Sequence, residues 1–572
     1  MHINNDNLKF WKKNSNLLEW KVKPKKTFKR QRDNSFQWYL GGKIDLYHNL
    51  ILKNLKKNSN KTAIITLSKN QEIKKYSYNQ IDEYVNNFSL NLLNKKKVKK
   101  VIIHSSATLN SAISMLSCIK NGIFFSVIFK ELPREAIRTR INLFQPDLVI
   151  TEDKKIFNKI KPKLKKKLFI CSFNELKRKN NVPNNKVIKS KSLDPNKNFF
   201  CLFTSGSTGE PKGVVHNYGG YSVYTKYTCK KQFGMNTNSI VLTASDAGWI
   251  NGHTYSLFGP LFFGATTILC ESPLILLNTQ ILVKLINLGT TILYLPVTLI
   301  RLMKSTSKRI NIKHNKLKAL GSMGEPLAPS IGLWFAKTFK NKNSSIVNTY
   351  FQTETGGIIS SPKFDSNSLK NPHGSVGDVL TKNINYKKIH ITKKNEFVIT
   401  KPWPGCMKKI INGKNEWDKY WTKEKFFRMF DYATKKRNNI YIHGRIDDVI
   451  NIRGHRIGSE ELESIILQEK SISECCAIAC NDKIEGNVFY LFIVSKNNNL
   501  NDKLNNLINS FFGSFALPKK IFYLTQLPKT RSGKILRRLL RNLINDQQNI
   551  GDISTMVNPE ILNEIKKKIN HE

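Results

Sequence analysis

Acidic side chains are scarce: 41 Asp and Glu stand against 94 Lys and Arg, leaving a formal charge of +53 over 572 residues. Cysteine is sparse too, nine in all, and no pair of C-x-x-C units exists to hold zinc. Nine thiols in so long a chain cannot form a disulfide scaffold, and they fit reduced core residues of a cytoplasmic protein. Long apolar runs are also missing. None reaches the roughly 18–20 residues a spanning helix needs, which excludes an integral membrane protein of the helical kind. Met1 to Arg30 lacks the apolar segment of a secretory signal, and Asp6 and Glu19 argue against an import peptide.

A composition 40% hydrophobic and 10% aromatic builds a sizeable core, so wholesale disorder is excluded. The length suits several structural units, or one large α/β body with a small domain. The basic excess is the usual footprint of a nucleic-acid binder. Here, however, the lysines are scattered and travel with asparagine and isoleucine. Runs such as Lys53 to Asn58 and Lys161 to Lys167 fit solvated faces produced by codon drift. Neither a nucleic-acid nor a membrane partner is expected, although the positive field would speed capture of polyanionic nucleotides.

From Leu40 to about Phe200, apolar runs alternate with amphipathic stretches, the pattern of an α/β body. Strands are expected at Thr62 to Leu67, Val101 to His104, Phe124 to Ile128, Leu148 to Thr151 and Phe199 to Phe203. Further strands are expected at Ile240 to Ala244, Ala265 to Leu269, Thr291 to Leu295 and Lys318 to Ser322. The character changes near 430–450. Ser459 reads as a helix N-cap followed by Glu460 and Glu461, and Leu536, Leu539, Leu540 and Leu543 make an apolar helical stripe. The last ~125 residues therefore read as a small α+β domain.

The most informative stretch is Thr204-Ser205-Gly206-Ser207-Thr208-Gly209-Glu210-Pro211-Lys212-Gly213, directly after an apolar strand. Glycines let successive amides turn toward phosphate oxygens, hydroxyls add neutral donors and Lys212 adds a cation. No G-x-x-x-x-G-K-[ST] can be laid on it, which disfavours a P-loop kinase or GTPase.

This stretch resembles the phosphate loop of the adenylate-forming (AMP-binding) acyl-CoA synthetases. Three further landmarks of that family follow in order: Tyr350 to Gly357, Gly444 to Asp448 and Leu527 to Lys534. The segments Ala247 to His253, Gly321 to Pro326, Lys401 to Gly405 and Gly551 to Thr555, with Tyr39 to Asp45 near the start, look like the acetyl-CoA synthetase, short-chain branch. The resemblance spans nearly the whole chain. It implies a large multi-subdomain N-terminal α/β body and a small mobile C-terminal α+β domain. The expected divisions are an N-terminal segment 1–90, an AMP-binding body 91–446 and a C-terminal domain 447–572.

The resemblance implies a two-step, AMP-forming ligation. A short carboxylate attacks the α-phosphorus of ATP with Mg²⁺ present, and coenzyme A then displaces AMP from the acyl-adenylate. Carried over position by position, Lys534 reaches the reacting phosphoryl and carboxylate oxygens, and Asp447 is the hinge of the C-terminal swing. The nucleotide falls to Thr204, Ser205, Gly206, Ser207, Thr208, Gly209 and Lys212 at the phosphates. Gly324, Glu325, Pro326, Asn348, Thr349, Tyr350, Phe351, Gln352 and Thr353 take the adenine and α-phosphate side. Asp431 takes the ribose hydroxyls, although Phe430-Asp431-Tyr432 departs from the usual glycine-aspartate. Arg445 and Arg456 contact phosphate and ribose. Glu354 helps hold Mg²⁺, and a second, structural Mg²⁺ on main-chain oxygens maps to Leu467, Glu469 and Ile472.

The acyl pocket maps to Ile250, Asn251, Met323 and Phe351, which favours acetate or propionate. Coenzyme A is expected at Asn251, Thr291, Arg453 and Gly454. Lys155 and Lys159 stand in for the arginines that usually hold its 3′-phosphate. Lys534 is also the expected target of lysine-modifying enzymes. Ligation of acetoacetate or butyrate, transfer to a carrier protein, and a basic nucleic-acid-binding protein remain open as alternatives.

Overall fold

The computed structural model describes the chain except residues 1–2, 95–97, 165–166, 178–186, 206–210, 307–309, 311, 313–314, 340–343, 363, 365–373, 380–395, 412–413, 447–448, 453–454, 483–485, 531–532, 546–552, 554–555 and 572. Strands form where the sequence has short apolar runs, and the pleat divides each run between two cores. Val101 and Ile103 of strand Lys100–His104 enter one apolar layer while Ile102 enters another. In strand Ile292–Pro296, Ile292 and Tyr294 join the same layer as Val101, and Leu293 and Leu295 face the opposite side.

The strands that share this layer belong to two seven-stranded sheets. In the first, Asn198–Ser205, Phe124–Ile128, Lys100–His104, Leu148–Thr151 and Phe169–Ser172 run parallel, with Pro211–Asn217 added antiparallel at one side. In the second, Ser345–Asn348, Ala319–Met323, Ile292–Pro296, Ile240–Thr243, Thr266–Cys270 and Thr62–Leu67 run parallel. Ile73–Ser77 closes its edge antiparallel. Strands Thr62–Leu67 and Ile73–Ser77 thus complete a sheet made otherwise from residues beyond 239, and 1–90 is knitted into the body by main-chain bonds.

Two chain reversals are fixed locally by caps. Ser77 and Gln80 form a reciprocal capping box before helix Tyr78–Leu93, and the Asn217 side chain accepts from Gly220 and Tyr221 before helix Tyr218–Phe233. A three-stranded antiparallel sheet, Glu396–Ile399, Phe427–Lys436 and Asn439–Arg445, ends the body.

Past Arg445 the chain starts a new core. Strands Ile472–Asp482, Gly486–Ser495 and Lys520–Tyr523 form a sheet. Helices Ser459–Ile466 and Asn501–Phe512 cover the face that holds Cys475, Ala477, Leu491 and Ile493. Helices Arg537–Ile544 and Ile561–His571 cover the other, with Cys476, Ile478 and Phe492. The leucine stripe from 536 to 543 read from the sequence is that covering helix. The α/β body and the smaller α+β unit are those the sequence implies. All nine cysteines are free and buried, and no helix of the described residues is long and apolar enough to cross a membrane.

Candidate active site

Parallel strands leave their carboxyl ends on one rim, and a crevice there is where open α/β sheets place ligands. In the second sheet Ala319–Met323 is followed at that rim by Gly324, Glu325 and Pro326, and Ser345–Asn348 by Thr349 to Thr353. Gly324 has φ +91°, and a Cβ there would meet nothing within 4 Å, so this turn borders open space. Asn348 is fixed by Ser322 Oγ (2.9 Å) and by its own bond to the Ser375 carbonyl (3.0 Å). Thr349 is held by Tyr294 (2.6 Å) and the Ser322 carbonyl (2.7 Å).

Asp431 lies across this rim on strand Phe427–Lys436, buried with 7% exposure. The Tyr350 hydroxyl and Gln352 Nε2 (2.7 Å) both donate to its Oδ2, and Arg445 reaches Oδ1 at 3.3 Å. Burial pushes the carboxyl above its ordinary value, opposed by Arg445, Tyr350, Gln352 and the charge of Lys534. An acceptor-only group held this way suits a pair of hydroxyl donors.

Glu354 is equally buried, and Tyr420 donates to its Oε1 at 2.6 Å. Lys212 lies 3.3 Å from the same oxygen and 4.8 Å above the Tyr420 ring. Burial alone would raise this carboxyl, yet Lys212 and Tyr420 together bring it below its ordinary value. A carboxylate kept ionised beside the phosphate loop fits a hard cation with oxygen ligands, so the donor chemistry suits Mg²⁺.

Strand pairing explains how Lys212 comes to Glu354. Pro211 pairs with Ser205 and Lys212 with Thr204, so residues 206–210 bridge two strands. Thr204 Oγ1 is buried with no hydrogen-bond partner among the described residues. Gly206, Ser207, Thr208 and Gly209 lie outside the described residues, and so do Asp447, Arg453 and Gly454. Arg456 lies on strand His455–Gly458, paired with Asn451.

Lys534 closes a tight hairpin. Thr530 N–H donates to the Lys534 carbonyl (2.8 Å), and Lys534 N–H donates to Thr530 Oγ1 (3.2 Å). Gly533 has φ +81°, and a Cβ there would come within 2.5 Å of Thr298 Oγ1. Glycine is therefore required twice, for the turn and for contact with helix Val297–Thr306 of the body. Behind the tip, Lys529 pairs with the buried Glu474, and Arg537 makes a two-pronged pair with buried Glu463.

The acyl-pocket candidates share one apolar cluster. Ile250 and Met323 are buried in it, and Phe351 packs against it with its ring 5.7 Å from Tyr255. Asn251 is buried, and both polar atoms of its amide lack a partner among the described residues. Such orphaned groups are costly unless a ligand or water serves them.

Other candidates stand apart. The Thr291 hydroxyl is engaged with the Ile240 main chain, at the amino end of the sheet opposite the rim. Lys155 and Lys159 are exposed beyond the carboxyl end of strand Leu148–Thr151. Around the expected second metal, the Glu469 carboxylate pairs with Lys503 (2.7 Å) and Ser471, which hold it down at about 2. The Glu469 carbonyl accepts from Ile472 N–H (3.2 Å), and Leu467 N–H is used within the helix end. The Glu469 carboxylate is thus committed to protein partners.

Tyr420 and Thr298 were not among the expected site residues, and Phe430 entered only as a departure from the usual glycine before Asp431. The clustered aromatics from Tyr420 to Phe430 were the available signal.

A profile described as AMP-binding enzyme matches residues 51–398, and one for the AMP-binding enzyme C-terminal domain matches 461–534. The chain belongs to the AMP-binding enzymes. It is 30% identical to an acetyl-coenzyme A synthetase of Helicobacter pylori strain G27, over 94% of this chain and 89% of that protein. Identity to the acetyl-coenzyme A synthetase of Citrobacter koseri is 32%, over 97% of this chain and 93% of the relative. In fold it is similar to an acetoacetyl-CoA synthetase from Streptomyces lividans, with TM-score 0.81 and 15% identity, covering 99% of this chain and 93% of that one.

Proposed function

We propose that this member of the AMP-binding enzymes joins a short carboxylic acid, acetate or propionate, to coenzyme A through an acyl-adenylate made from ATP. The observation that carries the reading is the seating of Gly533, next to Lys534, against Thr298 on a helix of the body.

Asp431 accepts the ribose hydroxyls, with Arg445 beside it. Lys212 and the 204–209 loop face the β- and γ-phosphates. Glu354 would help hold Mg²⁺, which would supply charge neutralisation for the leaving pyrophosphate. Lys534 bridges the α-phosphoryl and carboxylate oxygens, aligning the attack opposite the departing group. Arg456 joins the nucleotide contacts when the smaller unit is seated.

The smaller unit, 447–572, then turns about Asp447. Lys534 leaves, and Arg453 and Gly454 face the thiol-bearing arm. Asn251 offers its unserved amide to the acyl or pantetheine end, while Lys155 and Lys159 meet the 3′-phosphate as point charges. Phe351, against Tyr255, and the buried Met323 would close the acyl end, which favours a short chain.

The absence of a spanning helix among the described residues and the reduced thiols support a cytoplasmic setting. The exposed Lys534 is open to lysine-modifying enzymes. Pyrophosphate release measured against C2 to C6 acids, with and without coenzyme A, tests the reading. Release is expected to be largest with C2 or C3, and no release with any acid refutes it.

A further inference from the structure

Phe430 adopts φ +56°, a left-handed backbone that side-chain-bearing residues rarely take, next to the buried Asp431. Its ring is flanked by two guanidinium groups, Arg428 at 4.6 Å and Arg445 at 5.5 Å from the centroid, and meets the Tyr420 ring edge-on at 5.2 Å. Arg428 is already committed to Glu396 through bonds of 2.8 to 3.2 Å. The Arg445 side chain is 41% exposed, and its bonds include those to Asp431 and the Met429 carbonyl at 3.3 and 3.2 Å. A guanidinium resting near an aromatic face is supported there through both its apolar stem and its charge. The left-handed turn at 430 brings a ring to this arginine, and Ile446 N–H to the Phe430 carbonyl (2.9 Å) pins the turn to the partner strand.

We propose that Phe430 is a positioning residue that holds Arg445 against its ring, beside Asp431, so that nucleotide meets a preformed pair. The same ring touches Tyr420, which bonds Glu354, so one aromatic side chain links the ribose end of the site to the metal end. The proposal rests on the nucleotide role given above to Asp431 and Arg445.

AMP binding by calorimetry, in the full chain, separates the possibilities. Phe430→Leu keeps apolar bulk and loses the ring's charge distribution, and its Kd for AMP is expected to rise about 5-fold. KM for ATP should rise by a similar factor with kcat nearly unchanged, the sign of lost uniform binding. Phe430→Tyr should restore both values to within about 2-fold, since its ring holds a cation equally well. In an Arg445→Ala background, Phe430→Leu should add nothing further, because the interaction is already gone.

Unchanged AMP affinity in Phe430→Leu, equal losses in the Tyr and Leu variants, or fully additive losses with Arg445→Ala would each overturn the proposal. Should Phe430→Leu fail to fold, the Tyr variant decides: a 5-fold weakening there also overturns it. If the unaltered protein binds no AMP, the nucleotide reading itself fails, a different result from any of these.

Discussion

On the body side of the site, Asp431 and Glu354 are buried and already held by protein donors, whereas Lys534 stands exposed on a hairpin that touches the body through Gly533. The first arrangement is preorganised: its dipoles are in place before ligand arrives, at the cost of burying carboxylates. The second is reversible. A glycine contact and an exposed ammonium release without stranding a buried charge, while Lys529 and Arg537 are anchored to Glu474 and Glu463 of their own unit. The buried carboxylates are fixed by their neighbours, and the exposed lysine is lightly held.

The comparison breaks most visibly at Gly533. Gly533→Val puts a branched Cβ onto Thr298 and strains the left-handed turn. Acid-dependent pyrophosphate exchange should fall about 100-fold, since a small misplacement of a reacting group costs that much. Thioester formation from supplied acyl-AMP should be nearly unaffected. Equal losses in both assays would mean that the hairpin contact serves folding alone.

The two buried carboxylates sharpen it further, because their pKa values move in opposite directions. Glu354 is lowered, so its ionised form contributes stability in full above its unfolded value near 4.5, and this is lost as pH falls through the folded value. Glu354→Gln should therefore destabilise by about 3 kcal/mol at pH 7, leaving Lys212 poorly paired. The gap to the unaltered protein should close below pH 4.5. Asp431 is raised, so ionising it opposes folding once pH exceeds the unfolded value of 3.8. Asp431→Asn should raise Tm at pH 7 by about 2 °C while weakening ATP binding. Thermal melts at pH 4 and pH 7 check both signs.

The weakest effect belongs to the surface. Lys155→Ala with Lys159→Ala should raise KM for coenzyme A by about 3-fold, the scale of exposed charge pairs. An unaltered KM removes these lysines from the site.

Much of this was legible in the sequence, for identifiable reasons. Strands Thr62–Leu67, Phe124–Ile128 and Leu148–Thr151 fall where their apolar runs predict. Three later strands begin one residue after the expected start, at Thr266, Ile292 and Ala319. Thr291 shows why: its hydroxyl leaves the apolar pattern to bind the Ile240 main chain. Sheet order was hidden, because pairing of Thr62–Leu67 with Thr266–Cys270 spans some two hundred residues and leaves no local trace. Of the expected site residues, Glu354, Lys212 and Arg445 lie in long motifs and Asp431 is carried over by position alone, and each has a chemistry that demands its particular side chain. Tyr420 and Thr298 escaped because a tyrosine or threonine becomes informative only through its neighbours, and Thr291 carried no such motif.

The account stands on an exchangeable cation at the hairpin tip that serves acyl-adenylate formation and not thioester formation. Rapid-quench measurement of the two half-reactions separately in Lys534→Ala tests it most directly. Acyl-AMP formation from ATP and acetate should drop about 1,000-fold, while conversion of supplied acetyl-AMP to acetyl-CoA stays within about 3-fold of the unaltered rate. Intact acyl-AMP formation, or equal loss of both steps, would contradict it.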